Sequence, residues 1–167
     1  PSVRESAVEA WSILGAATVL LAWAGVLLFR AAQSGRRFEV VVALKRQHWL
    51  QACVQLVTYT YWGTYYPDVR QAAPLIAAQL CYAITFDWLL SLTRRGRMTV
   101  GFGPFPITLS INIFLWFKPD WFYFQFLMVA VGFAAKELIR WKKDGRLVHV
   151  FNPSSFPLFL ASLVLIL

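Results

Sequence analysis

The stretch KKDGRLVHVFNPSSFPLFL, Lys142 to Leu160, joins two kinds of chain. A basic, turn-forming run ends, and an apolar segment opens at Asn152-Pro153. Arg140, Lys142, Lys143 and Arg146 put four cations into seven positions just ahead of it. A charged turn set against an apolar segment is the pattern of a chain that reverses at a membrane surface.

The rest of the chain has the same character. Of its 167 residues, 59% are hydrophobic and 14% charged, and the mean hydropathy is +0.56. An ordinary soluble domain is about a quarter charged. A soluble core of this size could not hide so much apolar surface, so lipid is the expected solvent. Cys53 and Cys81 lie inside apolar runs with no CxxC or Cys/His cluster, so they read as small core residues and not as a disulfide or metal pair. The chain starts at Pro1 and stops inside an apolar run, as expected of a piece of a longer subunit.

A bilayer core of about 30 Å needs roughly 20 apolar residues as helix. Trp11 to Phe29 carries no charge and meets that requirement. Its flank, Arg4-Glu5 and Glu9, is unlike the basic front of a signal peptide. Further spans are expected at His48–Tyr66, Gln71–Thr93, Val100–Phe117, Trp121–Ile139 and Asn152–Leu167. The aromatic clusters YTYWGTYY and WFKPDWFYF fall where the second and fourth spans end, at headgroup level. The predicted fold is an all-α integral membrane protein of about six transmembrane helices.

Charge gives the orientation. The segments after the first, third and fifth spans hold twelve of the sixteen basic residues; the alternate segments hold Arg4, Arg70 and Lys118. Lys136 falls in the last turn of span five, where it and Glu137 are expected to snorkel to the inner surface. The positive-inside rule makes the loops at 30–47, 94–99 and 140–149 cytoplasmic and the N-terminus external. The net charge of +8 then reflects topology and anionic lipid at the inner leaflet. Basic residues distributed by loop, not gathered in one patch, argue against a nucleic-acid partner.

Two spans open irregularly on the basic side. Asn152-Pro153 is a well-made helix start, since Asn caps free N–H groups and Pro at the first turn loses no bond. GFGPFP, Gly101 to Pro106, has two prolines that cannot both donate to a helical ladder, so regular helix is expected only from about Ile107. Paired interrupted helices point to a ligand or ion site in transporter-like folds. Thr108 and Asn112, four apart, share one helical face that should turn inward, while Ser110 is free to bond back to its own helix. Asp87 lies roughly 9 Å before the end of span three, a candidate for an ion pathway or for an interface role with Arg94 on the same face. His48 and His149, without carboxylates nearby in sequence, do not make a metal site, and no phosphate loop or dinucleotide fingerprint is present.

From His48 onward the chain resembles the RnfD/NqrB membrane subunits of Rnf complexes and of the sodium-pumping NADH:quinone oxidoreductase. The matching segments come in order: FDWLLSLTRRGR, GPFPITLSINIFLWFKPDW and AAKELIRWKKDGRLVHVFNPSSFPL. The last, a Lys-bearing helix end, a glycine turn and Phe-Asn-Pro, is the most specific. The resemblance implies a subunit of two inverted five-helix repeats that binds flavin within an ion-coupled electron path of the bacterial inner membrane. Residues 1–47 would then be an extra helix and basic loop, and residues 48–167 the first repeat. The family attaches FMN to a Thr in a Ser-Gly-Ala-Thr-type motif of the second repeat, which this chain does not contain. On this resemblance Thr108, Asn112, Asn152 and Ser154 are the candidate flavin-binding residues, and other membrane subunits are the expected partners. The competing reading is a non-catalytic membrane scaffold or accessory subunit that keeps the fold without cofactor. A permease using the broken helices is a third.

Overall fold

The computed structural model describes residues 3–114 and 122–166. Within them the chain is mainly helical: α1 (Val3–Ser34), α2 (Arg46–Tyr65), α3 (Pro67–Gln71), α4 (Ala73–Arg95), α5 (Pro104–Phe114), α6 (Phe122–Leu138) and α7 (Ser155–Ile166). Four short strands, β1 (Glu39–Val42), β2 (Arg97–Val100), β3 (Arg140–Lys143) and β4 (Arg146–His149), lie in the three basic loops.

Among the described residues two helices have the length and apolarity that crossing a bilayer requires, Ala7–Ser34 within α1 and Ala73–Arg95. Only 6% of the apolar window of α1 is buried, so its side chains face outward. At 1.5 Å per residue its 32 residues reach about 48 Å. The remaining helices are shorter or more polar: α2 has 20 residues but carries Gln47, Gln51 and Gln55, and α6 and α7 have 17 and 12. The predicted continuation of span four to Phe117, its Trp-rich turn and Trp121 lie outside the described residues.

α4 is the centre of the bundle, with α1, α5 and α6 packed around it. Ala83 of α4, Ile107 and Ile111 of α5, Met128, Val129 and Phe133 of α6 and Ala161 of α7 form one buried cluster. Tyr59, Val69, Ile76 and Leu109 form a second, which ties α2 and α3 to α4 and α5. α1 lies against α4 and α6, where Trp23 meets the Phe86 ring at 5.4 Å and donates to Thr93 at 3.0 Å.

The basic loops are more ordered than a plain turn. β1 and β2 pair in parallel from Glu39↔Arg97 to Val42↔Val100, which fastens the loop after α1 to the loop after α4. β3 and β4 pair antiparallel around Asp144 (φ 50) and Gly145 (φ 75). Positive φ at both central residues defines the tight hairpin turn for which Asp-Gly is suited. α4 ends on Gly96 in the left-handed conformation, with Arg94 and Arg95 at its negative pole.

Several expectations change. α5 begins at Pro104, not near Ile107. Both prolines fall in the first turn, where N–H groups have no helical partner, so neither breaks a bond. The irregular backbone is confined to Gly101–Gly103. α3 is an additional turn of helix before α4, begun by Pro67. Cys81 is exposed and Cys53 half-buried; both are free, but neither is a core residue, because each lies on an outward face of its helix.

Candidate functional site

A cavity of about 610 Å³ opens at the basic end of the bundle. Three helices begin at its wall: α2, α5 and α7. Each is placed there by a local sequence cause. His48 sits in the first turn of α2. Gly101 allows the turn before α5 to approach β1, since a Cβ there would stand 2.5 Å from the Ala43 carbonyl oxygen. Asn152 prepares α7: its side-chain Oδ1 accepts from the Ser154 N–H (3.0 Å) and hydroxyl (2.8 Å), and its carbonyl accepts from Phe156 N–H (3.0 Å). That is the capping role expected of it. Gly132 of α6 lets the Pro153 carbonyl come against the helix; any side chain there would collide with that backbone oxygen.

Charged side chains from α4 and α6 complete the wall. Asp87 accepts from Lys136 at 3.3 Å. Next to this pair, the Glu137 carboxylate accepts from both Arg95 (2.8 Å) and Arg140. Glu137 is 8% exposed at its side chain, so two guanidiniums hold one buried anion. Arg140 is itself fixed by donating to the Lys136 carbonyl at 3.0 Å. Neither Lys136 nor Glu137 snorkels outward, and the partner of Asp87 is Lys136, not Arg94. An interhelical ion pair satisfies a carboxylate at this depth with shorter reach than a residue two turns away.

A second polar feature lies deeper, toward the other end of α4. Asn112 of α5 donates to Gln79 of α4, which donates to Gln125 of α6. Gln79 and Asn112 are fully buried and Gln125 nearly so. Asn112 also donates back to the Thr108 carbonyl at 2.9 Å. Thr108 Oγ1 and Asn112 Oδ1 are buried with no protein partner among the described residues. Ser110 does not bond back to its own helix; its hydroxyl accepts from Gln55 of α2 at 2.8 Å.

The residues singled out in the sequence therefore divide. Asp87, Asn152 and Ser154 line the cavity, as do both irregular helix starts. His48 and His149, 101 positions apart in sequence, also meet there. Thr108 and Asn112 do face inward but stand in the amide chain between α4, α5 and α6, not in the cavity. A flavin ring would fit only partly with the four candidate residues: the cavity has the size of a cofactor site, and Thr108 and Asn112 do not reach it. Lys45, Arg95 and Arg140 in the lining were not singled out as site residues, since a loop count of cations does not say which ones turn inward. The Asp-Gly in KKDGRL was the available signal for the β3–β4 hairpin.

Fold and site thus define a helical bundle, two of its helices apolar and long enough to cross a bilayer, with a polar cavity at its basic end. Comparison with protein-family models, with curated proteins and with solved structures finds no match to this chain.

Proposed function

We propose that the chain is a multi-pass subunit of an electron-transfer or ion-translocating membrane complex, related to the RnfD/NqrB subunits. The observation that carries this reading is the meeting of Gly101–Pro106 and Asn152–Ser154 at one polar cavity that also contains Asp87. Both helix starts belong to segments that carry the resemblance, GPFPITLSINIFLWFKPDW and AAKELIRWKKDGRLVHVFNPSSFPL. Helices α1, α2, α4, α5, α6 and α7 would be the six spans, with the N-terminus external and the strand-bearing loops in the cytoplasm of a bacterial cell. Asn152 and Ser154 are then placed to contact an FMN or other flavin, and Asp87 with Lys136 to act in an ion path. Electron donors and iron–sulfur chemistry belong to partner subunits.

One observation favours the scaffold alternative. Three of the most deeply buried polar residues, Gln79, Asn112 and Gln125, are engaged by neighbouring helices, and large apolar side chains such as Trp11, Leu21 and Val57 face outward, available to lipid or other subunits. The visible absorbance spectrum of the purified complex separates the two. Flavin bands that disappear on reduction and weaken in Asn152→Leu support the electron-transfer reading. A complex that assembles fully and lacks flavin supports the scaffold.

A further inference from the structure

We infer that the cavity at the basic end is an anion site for a phosphate-bearing ligand. Its lining includes four basic residues, Lys45, Arg95, Lys136 and Arg140, against one acidic residue, Asp87. The only other acid in contact with these groups among the described residues is Glu137, behind Arg95 and Arg140. Four cations and two anions leave two positive charges around one concave space, with both histidines counted as neutral. Among the described residues no further acid pairs with them.

The surrounding backbone has the same sign. α2, α5 and α7 begin at this cavity, and none has an acidic residue in its first turn. Acidic side chains are ordinarily favoured there because they balance the positive helix pole. α2 instead begins Lys45-Arg46, with no side-chain cap. Positive-inside topology alone would scatter cations over the loop surfaces. It does not account for four of them gathered in the lining of one cavity.

Glu137 makes the arrangement suited to phosphate. It accepts from one terminal nitrogen of Arg95 and one of Arg140, which fixes both planes and leaves other N–H groups of each fork free to donate. Guanidinium forks match phosphate oxygens, and Lys45 adds a point charge on a longer stem. Two positive charges suit a phosphate monoester or diphosphate. Such a group can come from a soluble phosphate compound or from the headgroup of an anionic lipid at the bilayer border.

The test uses the full-length protein in detergent and in nanodiscs, at constant ionic strength. Inorganic phosphate and pyrophosphate are titrated against thermal unfolding, with chloride as reference. Native mass spectrometry compares retention of phosphatidylglycerol with phosphatidylcholine. Lys45→Gln is the informative variant, because no ion pair holds Lys45 among the described residues and its loss leaves the Glu137 cluster intact. Lys142→Gln, on the exposed hairpin, is the control. Saturable stabilisation by phosphate, about tenfold weaker in Lys45→Gln and unchanged in Lys142→Gln, supports a soluble ligand. Preferential retention of phosphatidylglycerol, lost in Lys45→Gln alone, supports a lipid headgroup. Absence of both effects, or equal effects in both variants, overturns the inference. Flavin content plays no part in these readouts, so they stand or fall apart from the electron-transfer proposal.

Discussion

Asp87 on α4 and Lys136 on α6 stand 3.3 Å apart, with side chains 18% and 26% exposed. Each is the other's only recorded ion partner among the described residues, and the ammonium also lies 5.1 Å from the Phe133 ring centre. Removing one charge strands the other at a helix interface, whereas removing both does not. Asp87→Asn and Lys136→Gln should each lower the melting temperature of the purified protein. The double variant should lie above the sum of the two, with a coupling of about 1 kcal/mol. Strict additivity would mean that the pair is not formed.

Gly132 tests the seating of α7. A methyl group there meets the Pro153 carbonyl and the Pro157 ring. Gly132→Ala should destabilise by about 1–3 kcal/mol, as overpacking does. Gly15→Ala on α1, where nothing lies within 4 Å, should be neutral or slightly stabilising. Parallel thermal melts check both, and an unchanged Gly132→Ala would contradict the close approach of α6 to the start of α7.

Asn152 serves as a cap and lines the cavity. Asn152→Ala should cost about 1 kcal/mol of stability, and Asn152→Asp should retain most of the capping. If ligand contact is its second role, activity of the assembled complex should fall far more than protein level in Asn152→Ala. Parallel losses would leave capping as its whole contribution.

The amide chain gives a contrast within the bundle. Asn112→Ala removes the donor to Gln79 in a fully buried site. Interhelical hydrogen bonds inside membrane bundles are modest, so the expected cost is about 1 kcal/mol. Since Asn112 does not line the cavity, binding there should be unchanged. A melt and a phosphate titration on the same sample check the two halves of this statement.

Apolar runs were the legible part of the fold. α2, α4 and α6 fall within two residues of the spans expected from hydropathy, because length and apolarity are local properties. The inward face of Thr108 and Asn112 was legible for the same reason: a four-residue spacing is fixed by the helix itself. The β1–β2 pairing was not. β1 and β2 are joined across 54 intervening residues, and no local signal carries such a register. The Pro104–Pro106 pair misled because proline was weighed as a breaker when its position, in the first turn, makes it harmless. The cavity was half legible. Its two irregular helix starts could be read from Gly, Pro and Asn, but the pairing of Asp87 with Lys136 and of Glu137 with two arginines depends on how α4 and α6 cross.

The most direct measurement is the sidedness of the two ends of the bundle. With Cys53 and Cys81 replaced by Ala, single cysteines are introduced at Asp68, in α3, and at Lys142, on the β3–β4 hairpin. Both positions are exposed, and Lys142 is preferable to Gly145, whose positive φ would strain a side chain. Intact cells are treated with a membrane-impermeant maleimide, then permeabilised and treated again. Labelling of Asp68→Cys from outside, with Lys142→Cys reached only after permeabilisation, is the expected result and places the basic cavity in the cytoplasm. The reverse pattern, or labelling of both from one side, would contradict the spanning arrangement and with it the proposed relation to the RnfD/NqrB subunits.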